Sequence, residues 1–169
     1  MKSFTLVEIL VVTGIILLFT GMLLAGYNNF NQFKILEREA SKLVDVLHLA
    51  KGKAQAGENY FDQTTGTYFD CSGSDEFGGY QMELNVTDYN FKQCCRDVAT
   101  KNITACSSSI QSYSLPVNIS ITAGTGIINF YPLSGGASQT VLTIDNSVIG
   151  KSIDISISAT GVIAPEDPI

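Results

Sequence analysis

Between Ile9 and Phe33 the chain carries no charged residue, and from Ile9 to Gly26 it is almost wholly apolar. No other feature limits the fold as strongly. An apolar block of this length sits near the lower limit for crossing a hydrocarbon core of roughly 30 Å. Just upstream stands Glu8, one carboxylate at the mouth of the run. A carboxylate in hydrocarbon costs on the order of 3 kcal/mol unless it is paired or protonated, so its presence asks for a partner. A conventional secretory signal does not explain it. The apolar core is longer than in such a signal, Lys2 is the only charge ahead of it apart from Glu8, and Leu23-Leu24-Ala25 makes a poor cleavage site.

Past the apolar block, "YNNFNQF" supplies a polar exit, and a helical pattern continues. Phe33, Leu36, Ala40, Leu43, Leu47, Ala50 and Ala54 step by three and four, which sets them in one stripe along a helix. Lys34, Glu37, Arg38, Glu39, Lys42 and Asp45 are expected on the opposite face. A helix unbroken from about Thr5 to Ala56 is about 78 Å long at 1.5 Å per residue. Its first half is apolar all round, and its second half is built to cover something. A coiled-coil seam is the competing reading, but the stripe spans only a few heptads before strand-like sequence begins, so packing on the chain's own sheet is expected. His48 lies off the stripe, as a surface or boundary residue. Gly14, Gly21 and Gly26 interrupt the apolar half, and Gly21 with Ala25 permits close helix contact.

Residues 57–79 are rich in Gly, Asp, Ser and Thr and read as a loop. Its acids do not follow a calcium-loop pattern, so a solvated acidic loop is expected and no metal or cofactor. Strand-like runs follow at 80–86, 90–96, 115–121, 127–131, 140–144, 153–157 and 162–164. Alternation is cleanest where Val117, Ile119 and Ile121, and then Ile153, Ile155 and Ile157, fall on one face. That pattern demands a half-buried antiparallel sheet, with the helix stripe as the cover for its apolar face. The fold class is therefore α+β.

Charge is divided unevenly. Residues 57–169 hold four Lys/Arg against twelve Asp/Glu, an acidic surface that repels phosphate backbones and disfavours a nucleic-acid partner. Cys71, Cys94, Cys95 and Cys106 all lie in this distal part. With no Cys-x-x-Cys spacing and the one histidine far upstream, two disulfides in an oxidising compartment are expected rather than zinc. Adjacent cysteines bridge poorly, so Cys71 is expected to pair with one of Cys94 and Cys95, and Cys106 with the other.

The amino-terminal stretch Lys2-Ser3, then Phe4-Thr5-Leu6-Val7-Glu8-Ile9-Leu10-Val11-Val12, resembles the class III signal peptide of the type IV pilin and type II secretion pseudopilin superfamily. "LHLAKGKAQAG" and "INFYPLSGG" with "IDISISATGVI" look like its GspH/FimT-like branch. The resemblance implies a pilin-like fold, cleavage by a prepilin peptidase between Ser3 and Phe4, N-methylation of Phe4, and assembly through Glu8, matched to the terminal ammonium of a neighbouring subunit. The family's usual residue before the cut is Gly, and Ser3 stands there in this chain. It further implies a leader at 1–3, a transmembrane or filament-core helix at 4–26, an amphipathic half at 27–56 and an extracytoplasmic β-rich head at 57–169. The partners implied are other pilin or pseudopilin subunits, an inner-membrane assembly platform, and membrane lipid before assembly. A structural subunit of a type IV pilus or secretion pseudopilus is thus expected, as a minor subunit or pseudopilin rather than a major pilin.

Two other classes compete. One is a single-pass, uncleaved membrane-anchored binding or adhesion module, with Glu8 at the membrane interface. The other is an enzyme, against which stands the lack of an imidazole or lysine base placed near any nucleophile, and of any phosphate-binding loop.

Overall fold

The computed structural model describes residues 5–63, 65–133 and 136–166, with backbone only at 22–25. Helix α1 spans Leu6–Ala56 without a break, passing through Gly14, Gly21 and Gly26. Both ends have local causes. Thr5 is the N-cap, its hydroxyl accepting from the Glu8 N–H at 3.3 Å. At the other end Gly57 takes the left-handed conformation at φ 63°, where a side chain would be strained. The Gly57 N–H then reaches Ala54 O and the Glu58 N–H reaches Lys53 O, each at 3.2 Å, which satisfies two of the last carbonyls.

Among the described residues eleven strands follow: β1 (Phe61–Asp62), β2 (Thr67–Tyr68), β3 (Asp75–Leu84), β4 (Asp88–Asp97), β5 (Ile103–Cys106), β6 (Gln111–Ser114), β7 (Ile119–Ala123), β8 (Gly126–Phe130), β9 (Thr140–Asn146), β10 (Lys151–Ile157) and β11 (Ile163–Pro165). They form two antiparallel sheets and a small hairpin, where the sequence pattern led to one sheet. The first sheet runs β5-β4-β3-β8, and β6 takes the rest of the β4 edge beside β5. The second runs β11-β10-β9-β7. The β1–β2 hairpin lies inside the segment expected to be loop, and β3 begins five residues earlier than the pattern indicated.

The second half of α1 lies against both sheets, touching β3 and β8 of one and β9, β10 and β11 of the other. Leu36, Ala40, Leu43, Leu47, Ala50 and Ala54 are all buried, as their spacing requires, and Val46 joins them. Alanines at three of these positions let the helix axis approach the sheets closely. Facing them are Tyr80, Met82 and Leu84 of β3, Leu142 and Ile144 of β9, and Ile153, Ile155 and Ile157 of β10. Each fully buried large apolar side chain contributes about 1.5–3 kcal/mol.

Two local expectations are corrected. Glu39 is buried, not solvated, because three residues from Leu36 and four from Leu43 place it on the flank of the stripe. Arg38, at 3.0 Å, and Lys42, at 3.7 Å, supply its counter-charge. Val117 is fully exposed, not in the sheet: Pro116 cannot donate to a ladder, the chain turns there, and β7 starts only at Ile119. Strands β5 and β6 had no strong signature in sequence.

The head has a defined axis along α1. Asn146 Nδ2 donates to Gln32 O at 3.1 Å and Gln32 Oε1 at 3.2 Å, fixing one end. Tyr80 Oη donates to Glu58 O at 2.8 Å and fixes the other. Asn29 still borders the 146–151 turn, and the exposed apolar residues Leu6 to Phe19 lie in the part of α1 ahead of it.

Candidate functional site: the bare apolar helix and the tied head

The amino-terminal half of α1 has no cover. Leu6, Val7, Ile9, Leu10, Val11, Val12 and Ile15 to Phe19 are each at least 50% exposed, on every side of the helix. Among the described residues this is one helix long and apolar enough to cross a membrane. Such an area of apolar surface is unstable in water and requires lipid or other helices around it. Its polar side chains are already satisfied within the helix. Thr13 Oγ1 donates to Ile9 O and Leu10 O at 3.0 Å each, and Thr20 Oγ1 to Ile16 O at 2.8 Å. Neither hydroxyl therefore resists burial in an apolar surrounding.

Glu8 is the exception. It sits in the first turn, exposed, and its N–H is held by the Thr5 cap. Among the described residues it forms no ion pair, so any cation that meets it comes from outside residues 5–166 or from another molecule. Ser3 and Phe4, the expected cleavage pair, lie outside the described residues, as does the leader at 1–3.

At the far end the head is tied covalently. Cys71 is bonded to Cys95 and Cys94 to Cys106, with Cα–Cα separations of 5.6 and 4.0 Å. The adjacent pair on β4 thus grips the incoming loop on one side and β5 on the other. Gln93, with no solvent exposure, adds a non-covalent tie that sequence reasoning missed. Its Oε1 accepts from Tyr60 N–H, and its Nε2 donates to Asn59 Oδ1 at 3.1 Å and Phe69 O at 3.2 Å. A polar residue alternating with apolar neighbours in β4 reads as outward-facing, so nothing in the pattern marked it.

These ties hold the β1–β2 hairpin beside an open cleft of about 700 Å³, lined in part by Tyr60, Phe61, Tyr68 and Asp70. The exposed Phe61 and Tyr68 rings meet edge to face at 5.0 Å. His48 is exposed, away from both regions, and among the described residues no three His, Cys, Asp or Glu side chains converge. No protein-family model matches the chain, and neither a curated protein nor a solved structure matches it.

Proposed function

We propose that this chain is a structural subunit of a type IV filament, a pilus or a type II secretion pseudopilus, and not an enzyme. The observation that carries the reading is the helix: about half of a 51-residue α1 stands clear of its own head, apolar on all sides, with Glu8 its one charge before Lys34. Such a helix serves as a membrane anchor in a single copy and as a filament core when copies pack side by side. Prepilin peptidase cuts between Ser3 and Phe4, Phe4 is methylated, and its ammonium meets Glu8 of a neighbouring subunit. That pairing aligns the incoming subunit in depth, because a misplaced carboxylate stays unpaired in an apolar core at a cost of several kcal/mol. The subunit sits in the inner membrane with its head outside the cytoplasm until the assembly platform adds it to the fibre. The disulfides suit that oxidising side of the membrane. Likeness of "LHLAKGKAQAG" and "INFYPLSGG" to the GspH/FimT-like branch favours a minor subunit or pseudopilin.

Replacement of Glu8 tests this reading. Glu8→Ala leaves membrane insertion unchanged, measured by fractionation, and cripples incorporation into fibres, measured by the amount of subunit in the sheared filament fraction. Incorporation at the native level contradicts the pairing.

The cleft beside Tyr68 favours a second reading, a membrane-anchored binding or adhesion module. The two differ at the amino terminus. A subunit begins at methylated Phe4 in a peptide mass map, whereas an uncleaved anchor retains Met1.

A further inference from the structure

The end of the head nearest the apolar helix has an unusual surface. Two turns meet there, residues 116–118 and 146–151, joined by Ser147 N–H donating to Asn118 O at 3.1 Å. Each presents an apolar side chain to the outside: Val117 is 101% exposed and Val148 50%. Buried Asn146 clamps the second turn to the helix through Gln32, and its Oδ1 accepts from Val148 N–H at 2.9 Å. The turn therefore has a fixed height along α1. With Val148, Ile149 and Lys151 it forms a shallow hollow against Asn29 and Phe33.

Height decides what this surface meets. The apolar block ends at Gly26, and Asn29 follows it by about 4.5 Å along the helix axis. The headgroup layer of a bilayer adds roughly 5–8 Å beyond the hydrocarbon on each side. Tyr27 and Phe30, both well exposed, fall in the same layer, where amphipathic aromatic rings are favoured. Lys34 lies over the Phe30 ring at 5.6 Å, with its charge shared with Glu37 at 2.6 Å. Lys151 has no carboxylate partner among the described residues. Two exposed valines beside exposed aromatic rings at headgroup depth match a bilayer surface in polarity, and Lys151, in the same hollow, supplies a local cation on an otherwise acidic head.

We propose that this end of the head is a second membrane contact, seating Val117 and Val148 in the headgroup layer while Lys151 meets an anionic lipid phosphate. The proposal rests on α1 spanning the bilayer before assembly. Docking of this kind holds the head at one tilt on the membrane and is broken when the subunit leaves the bilayer.

The chain contains no tryptophan, so single introduced tryptophans report their own surroundings. The full chain is reconstituted into vesicles of phosphatidylcholine with or without phosphatidylglycerol, doped with brominated lipids as quenchers. Val148→Trp is expected to show blue-shifted emission and quenching by lipids brominated near the headgroup. Leu17→Trp is expected to be quenched from deep in the bilayer. Val98→Trp, at the opposite end of the head, is expected to emit as in water. Adding Lys151→Gln to Val148→Trp lowers the docked fraction in anionic vesicles by roughly fivefold in its equilibrium constant. Water-like emission from Val148→Trp beside deep quenching of Leu17→Trp overturns the second contact and leaves the anchor standing. Loss of the Leu17→Trp quenching overturns both. Quenching of Val148→Trp that ignores lipid charge overturns the role given to Lys151.

Discussion

At the scale of residues, the structure turns on a few side chains whose partners lie far away in sequence. Gln93 is the clearest: one buried amide holds three groups of the segment 59–69. Gln93→Ala leaves buried donors and acceptors unmatched and is expected to destabilise the head by roughly 2–3 kcal/mol, read from urea melts, with fast hydrogen exchange at the Tyr60 amide as its local signature. Gly79 is another. It sits at φ 104° beside the β3 bulge, and an added Cβ would lie 2.0 Å from Phe130 O. Gly79→Ala is expected to cost roughly 2–4 kcal/mol, visible as a lowered thermal midpoint with the helix retained. Neither residue announced itself in sequence, since a buried Gln and a strained Gly are defined by what stands opposite them. Glu39 shows the reverse error: its charge suggested solvent, while its spacing from Leu36 and Leu43 already placed it against the core.

At the scale of elements, legibility followed from how local the cause is. The ends of α1 were readable because the Thr5 cap and the Gly57 stop act within a few residues of themselves. Strand β10 was readable from the alternation of Ile153, Ile155 and Ile157, all of them buried. By contrast β5, "ITAC", and β6, "QSYS", are short edge strands with mixed exposure, and only the free edge of β4 makes them strands. The partition of the strands into two sheets is likewise a long-range outcome that alternation does not encode. The cysteine pairing left open in sequence is closed by register, because Cys94 stands directly opposite Cys106 on β5. The two bridges close loops of 24 and 12 residues, so the chain-entropy model gives each about 3 kcal/mol, the longer loop somewhat more. Removing Cys71 and Cys95 together is thus expected to lower the urea midpoint more than removing Cys94 and Cys106 together.

At the scale of the whole molecule, an acidic, disulfide-tied head is joined to a bare apolar helix. The head depends on pH in a manner set by its ion pairs and tyrosines. Lys101 and Arg96 hold the Glu76 carboxyl below its ordinary value of 4.5, and Lys92 does the same for Glu83. A depressed folded pKa gives stability that is present above the unfolded value and is lost as pH falls through the folded one, so the head weakens progressively below about pH 4.5. Burial, with Glu58 nearby, pushes the Tyr80 phenol up to about 12 from 10.0, and burial raises Tyr89 as well, helped by Glu39. A raised folded pKa gives stability that is complete below the unfolded value and is lost as pH rises through the folded one. A plateau between those limits, with decline from pH 10 towards 12, is the expected profile by circular dichroism. None of this touches the apolar half of α1, whose stability depends on what surrounds it.

That dependence is the centre of the account, and Glu8 in an assembled fibre tests it most directly. A cryo-electron-microscopy reconstruction of the filament is expected to place the Glu8 carboxylate within about 4 Å of the terminal nitrogen of Phe4 in an adjacent subunit, buried among apolar helices. A reconstruction in which Glu8 faces water or lipid, with no cation beside it, contradicts the account.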